Sequence, residues 1–319
     1  MDGPDGRFQQ SGPSFPGGAM QEHTIGVIGL GIMGSAVSGS LLKDGFEVIG
    51  YDVLPEPIRA LEANGGRGRT SPRAVAEAAP VVITLLPGVA ALEEVVAGED
   101  GLIAAAREGS ILLECSTLPL NGKEAARCAL AEVGFLMLDC PLSGTGAQAL
   151  NKDLVVYASG DERVFARCRR VFDGFARASH YTGPFGNGSR LKLVANLLVS
   201  IHNVAAAEAF VLGMKAGIAP EVIYEVIASG AGTSRMFEVR GPLMVQGSYD
   251  QATMKLDVWQ KDIGIITEFA RALGCPTPLF AASAQLYAAA LAQGRAKEDT
   301  AAVCAVLEEM AGLIRPQPE

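Results

Sequence analysis

A short β-rich run, His23-Thr-Ile-Gly-Val-Ile-Gly29, feeds directly into Gly29-Leu30-Gly31-Ile32-Met33-Gly34. Residues 35–43 then carry helical character, Gly45 stops it, and a second β run over 47–52 ends in an acid, Asp52. Few folds accept that order of strand, glycine turn, helix, strand and carboxylate. The first glycine permits a tight turn, the second lets the backbone approach a pyrophosphate, and the third lets helix and strand pack closely. The helix N-terminus turns free N–H groups and a partial positive charge towards the phosphates. Glycines alone would mark only a flexible turn; placed between strand and helix, with Asp52 at the right separation, they predict a dinucleotide site. Asp52 can accept both hydroxyls of an adenosine ribose and repels a 2′-phosphate. Val53 follows it where an arginine could have held that phosphate, so NAD is expected over NADP.

The alternation continues. Residues 56–64 and 74–79 have helical patterns, and Val81-Val-Ile-Thr-Leu-Leu86 is a fully apolar run closed by Pro87-Gly88. Such a run is a parallel strand buried on both faces, with its loop at the carboxyl end. Helical pieces at 92–96 and 101–106 lead to a strand over 110–115 that stops at Ser116-Thr117. A helix over 123–133 then precedes a strand over 135–139, and edge strands at 154–159 and 180–182 flank a helix over 162–174. Ligands of such sheets bind outside the carboxyl ends of the strands. Leu86-Pro87, Ser116-Thr117 and residues 139–147 are therefore expected to line the crevice. The segment Pro141-Leu-Ser143-Gly144-Thr145-Gly146-Ala147 is too glycine-rich for a regular element. Its successive N–H groups with a serine hydroxyl would make an anion cradle, the alternative being an ordinary surface turn.

From Gly188 onward the β pattern stops. Residues 191–216, 220–229, 236–245, 256–273, 278–293 and 299–313 read as helices separated by Gly, Pro or Asn turns. Apolar faces this wide pack on each other or on a second subunit. The expected fold is an α/β Rossmann-type dinucleotide-binding domain over 20–184, then an all-α domain over 185–319, joined by a long helix. Residues 1–19 lack the apolar centre of a signal peptide and read as a disordered extension, with Met20 a candidate first residue. The most apolar run, 193–214, contains Asn196, His202, Asn203 and Glu208, which suits a buried helix better than a membrane span. The net charge of −9 argues against nucleic-acid or anionic-membrane partners, which need a basic face. Six scattered cysteines without C-x-x-C spacing are the usage of a reducing compartment, here the cytoplasm.

A nicotinamide cofactor implies hydride transfer, so the proton needs a carrier. No lysine has a tyrosine four residues before it, and no cluster has metal-ligand spacing. His23 precedes the first strand, His180 precedes the domain seam, and His202 reads as a core or subunit-contact residue. There remains Lys192. With Asn196, Ser200 and Asn203 it falls at spacings of four, four and three, one face of a helix. A lysine in such apolar company is either an ion pair bridging the domains or a proton-transfer group. Desolvation would lower its pKa towards the working pH and let it take a hydroxyl proton, with Asn196 holding that oxygen or a neighbouring hydroxyl.

The chain resembles the β-hydroxyacid dehydrogenases, which include 3-hydroxyisobutyrate dehydrogenase and tartronate semialdehyde reductase. Four motifs over residues 24–313 carry the likeness: the Gly29–Gly34 turn, Asp139-Cys-Pro-Leu-Ser143-Gly144, Gly183-x-x-Gly186-x-Gly188-x-x-x-Lys192-x-x-x-Asn196, and Lys261-Asp262. The resemblance implies Lys192 as the catalytic residue, with Ser143, Gly144 and Asn196 on the substrate's carboxylate and hydroxyl and Thr117 and Lys261 beside the cofactor. It also implies a small hydroxyacid substrate and homodimers or homotetramers built on the long helix. Ser234-Arg-Met-Phe-Glu238 and Lys297-Glu-Asp-Thr300 look most like the L-threonate dehydrogenase branch. Two positions depart from the pattern. Thr145 stands where a second glycine is usual at the substrate cradle, and Met254 where some relatives carry an aromatic. Imine reductases share the first motif but replace the lysine, and a non-catalytic cofactor-binding module would lose it; Lys192 and Asn196 oppose both alternatives.

Overall fold

The computed structural model describes residues 23–105 and 107–315. The extension over residues 1–19 and Met20 lie outside them. Six strands form one parallel sheet: β1 (Thr24–Ile28), β2 (Glu47–Tyr51), β3 (Arg67–Gly68), β4 (Val81–Thr84), β5 (Ile111–Glu114) and β6 (Leu136–Asp139). Their order is β3-β2-β1-β4-β5-β6, so the chain reverses direction across the sheet between β1 and β4. That is the doubly wound order, with its crevice at the switch point. The helices α1 (Ile32–Lys43), α2 (Pro55–Ala63), α3 (Pro72–Ala78), α4 (Val89–Ala97) and α5 (Leu120–Ala131) connect the strands. Every residue of β4 and β5 is buried, because apolar helices cover both faces of the sheet.

The glycine-rich segment after β6 is more regular than its composition suggests. Leu142–Ser143 forms β7, antiparallel to β8 (Val155–Ala158), and Gly146–Leu150 forms the short helix α6. A reciprocal cap between Thr145 and Gln148 stabilises α6 despite the glycines. Helix α7 (Glu162–Phe175) and strand β9 (Ala178–Tyr181) complete a small second sheet in the order β7-β8-β9.

After β9 the structure is helical: α8 (Asn187–Lys215), α9 (Pro220–Ala228), α10 (Arg235–Gln246), α11 (Leu256–Ala272), α12 (Pro278–Ala292) and α13 (Val303–Met310). The last expected helix opens instead with a 3₁₀ turn, Thr300–Ala302, because Asp299 takes the Ala301 N–H. The 29-residue α8 is long and apolar enough to cross a membrane by length and composition. Its inward face, however, carries the buried Lys192, Asn196, Ser200 and Asn203, and α9 to α13 all pack against it. It is the central helix of a separate core that includes Phe210, Phe237, Trp259 and Tyr287.

The start of α8 is fitted closely to the nucleotide domain. A Cβ on Gly188 would lie 2.1 Å from the Tyr157 carbonyl oxygen, so only glycine lets the helix approach β8 there. Gly186, at φ 92°, supplies no side-chain cap of its own.

Candidate active site

The cofactor end is built by backbone geometry. Gly29 turns at φ 87°, and a Cβ on Gly34 would stand 1.9 Å from the Gly29 carbonyl oxygen, so both positions require glycine. A Cβ on Gly31 would meet nothing within 4 Å, which leaves open space in front of the α1 N-terminus. No side chain caps that terminus and no acid occupies its first turn. Asp52 accepts the Leu30 N–H at 2.7 Å and the Leu54 N–H at 2.9 Å, which holds its carboxylate beside the turn. Ile32 is 75% exposed on the turn, and Met33 packs against the sheet core. An open cradle, unspent helix N–H groups and an adjacent carboxylate fit a dinucleotide.

The loops at the strand ends meet this turn. The Ser116 hydroxyl accepts the Leu86 N–H at 2.8 Å, tying the β4 loop, with exposed Pro87, to the β5 loop. Lys261 on α11 donates to the Thr117 carbonyl at 3.1 Å, a direct link from the helical domain to the cofactor loops. A Cβ on Gly146 would touch Ile32 at 2.6 Å, so the Ser143–Gly146 turn lies against the glycine loop. Both polar groups of Thr145 are engaged within the chain. Its N–H donates to Gln148 Oε1 at 3.0 Å and its hydroxyl accepts the Gln148 N–H. Ser143 is half-buried and its backbone pairs with Val155, while its hydroxyl makes no hydrogen bond among the described residues and, with the Gly144 N–H, is available to an anion. Met254 sits at the fringe of the helical core, its N–H on Asp299.

Lys192 is 9% exposed and its ammonium makes no hydrogen bond or ion pair among the described residues. Burial pushes its ammonium down to about 8, against the pull of the Asp262 charge and with added repulsion from Lys261. One turn along α8, the buried Asn196 donates its amide to Asp262 Oδ2 at 2.8 Å. Burial raises the Asp262 carboxyl above the ordinary carboxylate range, opposed by Lys261, Lys192 and the Asn196 bond. Asp262 was legible only as half of a Lys-Asp pair; its link to Asn196 spans 66 residues and has no sequence signature. Beyond Asn196 the polar stripe is structural. Asn203 donates to Tyr287 Oη at 3.0 Å and to the Thr300 carbonyl at 2.9 Å, and Tyr287 donates to the Ser200 carbonyl.

Three residues of the expected crevice segment are elsewhere, Cys140 and Leu142 in the core of the nucleotide domain and Asp139 below it. Asp139 is wholly buried and ion-paired with Lys123, because Lys123 lies on the apolar face of α5 with Ala126 and Leu130. That i, i+3, i+7 register was the only available sequence signal for it.

Residues 24–183 match the NAD binding domain of 6-phosphogluconate dehydrogenase. Residues 186–307 match the family described as NAD-binding of NADP-dependent 3-hydroxyisobutyrate dehydrogenase. An L-threonate dehydrogenase of Cupriavidus necator is 37% identical over 88% of this chain and 94% of its own. The chain belongs to the β-hydroxyacid dehydrogenase family. As a member it is an oxidoreductase acting on CH–OH groups, and its nucleotide domain binds NAD. An NAD-dependent L-serine dehydrogenase of Pseudomonas aeruginosa is 31% identical over 88% of this chain and 96% of its own. The crystal structure of a 3-hydroxyisobutyrate dehydrogenase from Salmonella typhimurium superposes with a TM-score of 0.80 at 32% identity, covering 89% of this chain and 99% of that one.

Proposed function

We propose that this chain oxidises a small hydroxyacid of the β-hydroxyacid or sugar-acid class, and reduces the matching semialdehyde or ketoacid in reverse, with Lys192 as the acid–base. The observation that carries the reading is a buried lysine whose ammonium has no bonded partner among the described residues, held near pKa 8 at the seam between nucleotide and helical domains. The nicotinamide, when bound, supplies the hydride acceptor in oxidation and the donor in reverse. Neutral Lys192 Nζ takes the hydroxyl proton as the C–H bond gives up its hydride, and the ammonium returns it to the carbonyl oxygen in reduction. Asp262 pins the Asn196 amide, leaving the Asn196 side-chain oxygen to accept from a substrate hydroxyl. The Ser143 hydroxyl and Gly144 N–H receive the substrate carboxylate, with Thr145 shaping that turn through its cap on Gln148. Leu86, Pro87, Thr117 and Lys261 border the nicotinamide side, and Asp52 favours NAD over NADP.

The similarity to an L-threonate dehydrogenase favours a sugar acid as substrate. Six cysteines, none of them joined in a disulfide, support a reducing, cytoplasmic setting. Leu191, Val194 and Leu198 lie half-exposed along the outer face of α8, which supports a homodimer or homotetramer packed through this helix. A panel of 2-, 3- and 4-hydroxyacids and sugar acids, followed by NADH absorbance with NAD and NADP in parallel, tests the reading. The expected result is turnover of at least one hydroxyacid with NAD, abolished in Lys192→Ala while NADH still binds. Wild-type rates in Lys192→Ala would remove Lys192 from the mechanism, and a lower KM for NADP would remove the role of Asp52.

A further inference from the structure

Beneath the crevice lies a buried charge cluster that hydride transfer does not use. The Lys123 ammonium, 0% exposed, lies 2.6 Å from Glu114 Oε2 and donates to Asp139 Oδ1 at 2.8 Å and the Ser116 carbonyl at 2.7 Å. Each acceptor leads onward to a different part of the site. Glu114 Oε1 accepts the Ser116 N–H at 2.9 Å, and Ser116 accepts from Leu86, so the β4 and β5 loops hang on one group. Asp139 accepts the Ser189 N–H at 2.8 Å and the Ser189 hydroxyl at 2.7 Å. The Ser159 hydroxyl, which donates to Asp139, accepts the Gly186 and Gly188 N–H groups at 3.1 and 3.0 Å. Three N–H groups at the start of α8, which has no side-chain cap of its own, are thus satisfied from the strand ends.

We propose that Lys123 is a positioning residue. Its ammonium holds Glu114 and Asp139 in place, Asp139 fixes Ser189, and Ser189 stands one turn before Lys192 on α8. The same ammonium fixes Ser116 and, through it, the loops bordering the cofactor. One buried group therefore sets the register between the proton carrier on the helical domain and the cofactor loops of the nucleotide domain. Without Lys123, two buried carboxylates would face each other, and α8 would lose the anchor that orients its first turn. This inference rests on the role given to Lys192.

The test separates positioning from charge balance. Lys123→Met leaves one negative charge too many, whereas Lys123→Met combined with Glu114→Gln restores the original net charge without restoring the donor. In the double variant Tm is expected to recover most of what Lys123→Met loses. The kcat for hydroxyacid oxidation is expected to stay down by about 10–100-fold, the scale of a small misplacement of reacting groups. Amide exchange across residues 187–192 and at Leu86 and Ser116 should be faster than in wild type. Ser189→Ala, which keeps every charge, should lower kcat and quicken the amides of residues 187–192 without a large change in Tm; it decides the matter if the double variant does not fold. Recovery of both Tm and kcat in the double variant, or wild-type kcat and exchange in Ser189→Ala, overturns the proposal. Lys192→Ala run alongside distinguishes the two claims, since wild-type turnover there would refute the role of Lys192 whatever Ser189→Ala does.

Discussion

Two buried lysines stand at the two levels of the same crevice, and they behave in opposite ways. Lys123 is surrounded by acceptors: two carboxylates and a carbonyl lie within 2.8 Å of its nitrogen. These carboxylates outweigh its burial, and the ammonium is held charged above its ordinary range. Lys192 is buried about as deeply but has no bonded acceptor among the described residues. The Asp262 charge opposes its desolvation without cancelling it, so its pKa falls to about 8. Burial alone therefore does not lower the pKa of a lysine. What matters is whether a carboxylate is bonded to it, and here Asp262 is bonded to Asn196 instead.

The largest expected effects separate the two lysines by substitution. Lys192→Met should lower oxidation by about 10²–10⁴-fold, the usual worth of a positioned acid–base. It should also raise Tm, because it removes a charge that the fold disfavours. Lys123→Met should do the reverse in stability, costing about 3–5 kcal/mol by stranding two buried carboxylates. Thermal unfolding with parallel rate measurements checks both, and a Tm loss in Lys192→Met would break the contrast.

A pH series sharpens it. With Lys192 as the proposed base, the oxidation rate should rise with pH through a limb near 8, while the reduction rate falls through the same limb. The stability signs follow from the same shift. Lys192 has a lowered folded pKa, so between about 8 and its ordinary 10.5 the unfolded chain binds more protons than the folded one. Its contribution to stability therefore improves as pH rises across that window, and the Tm gain of Lys192→Met should shrink there. Lys123, with a raised folded pKa, keeps its full contribution across the same window. The smallest effect is electrostatic tuning. Asp262→Asn removes the charge that holds Lys192 up, so the oxidation limb should move below its wild-type position, readable from kcat/KM profiles of the two proteins. An unmoved limb would mean that Asp262 acts only through its bond to Asn196.

Much of this architecture was legible from local pattern. The strand–glycine–helix–acid order announced the nucleotide site because tight turns and close backbone approach impose steric requirements on particular positions. The helical second half was visible in its periodicity, and Lys192 and Asn196 were visible because a four-residue spacing places them on one face. Short irregular pieces were less legible. Strand β7 and helix α6 depend on a Thr145–Gln148 cap and a pairing with β8 that outweigh an unfavourable glycine content. Lys123 read as an ordinary helix residue, since a lysine on an amphipathic helix usually reaches solvent.

The order of glycines, acid and apolar runs by itself determined a Rossmann-type domain, a helical partner and a lysine on the connecting helix, because each follows from backbone sterics or from the period of one element. Only the tertiary structure decided which carboxylate faces which lysine. Glu114 and Asp139 come to Lys123 from neighbouring parallel strands, and Asp262 reaches Asn196 across 66 residues. A pKa depends on desolvation and on charges a few ångströms away, and those neighbours are chosen by packing between elements.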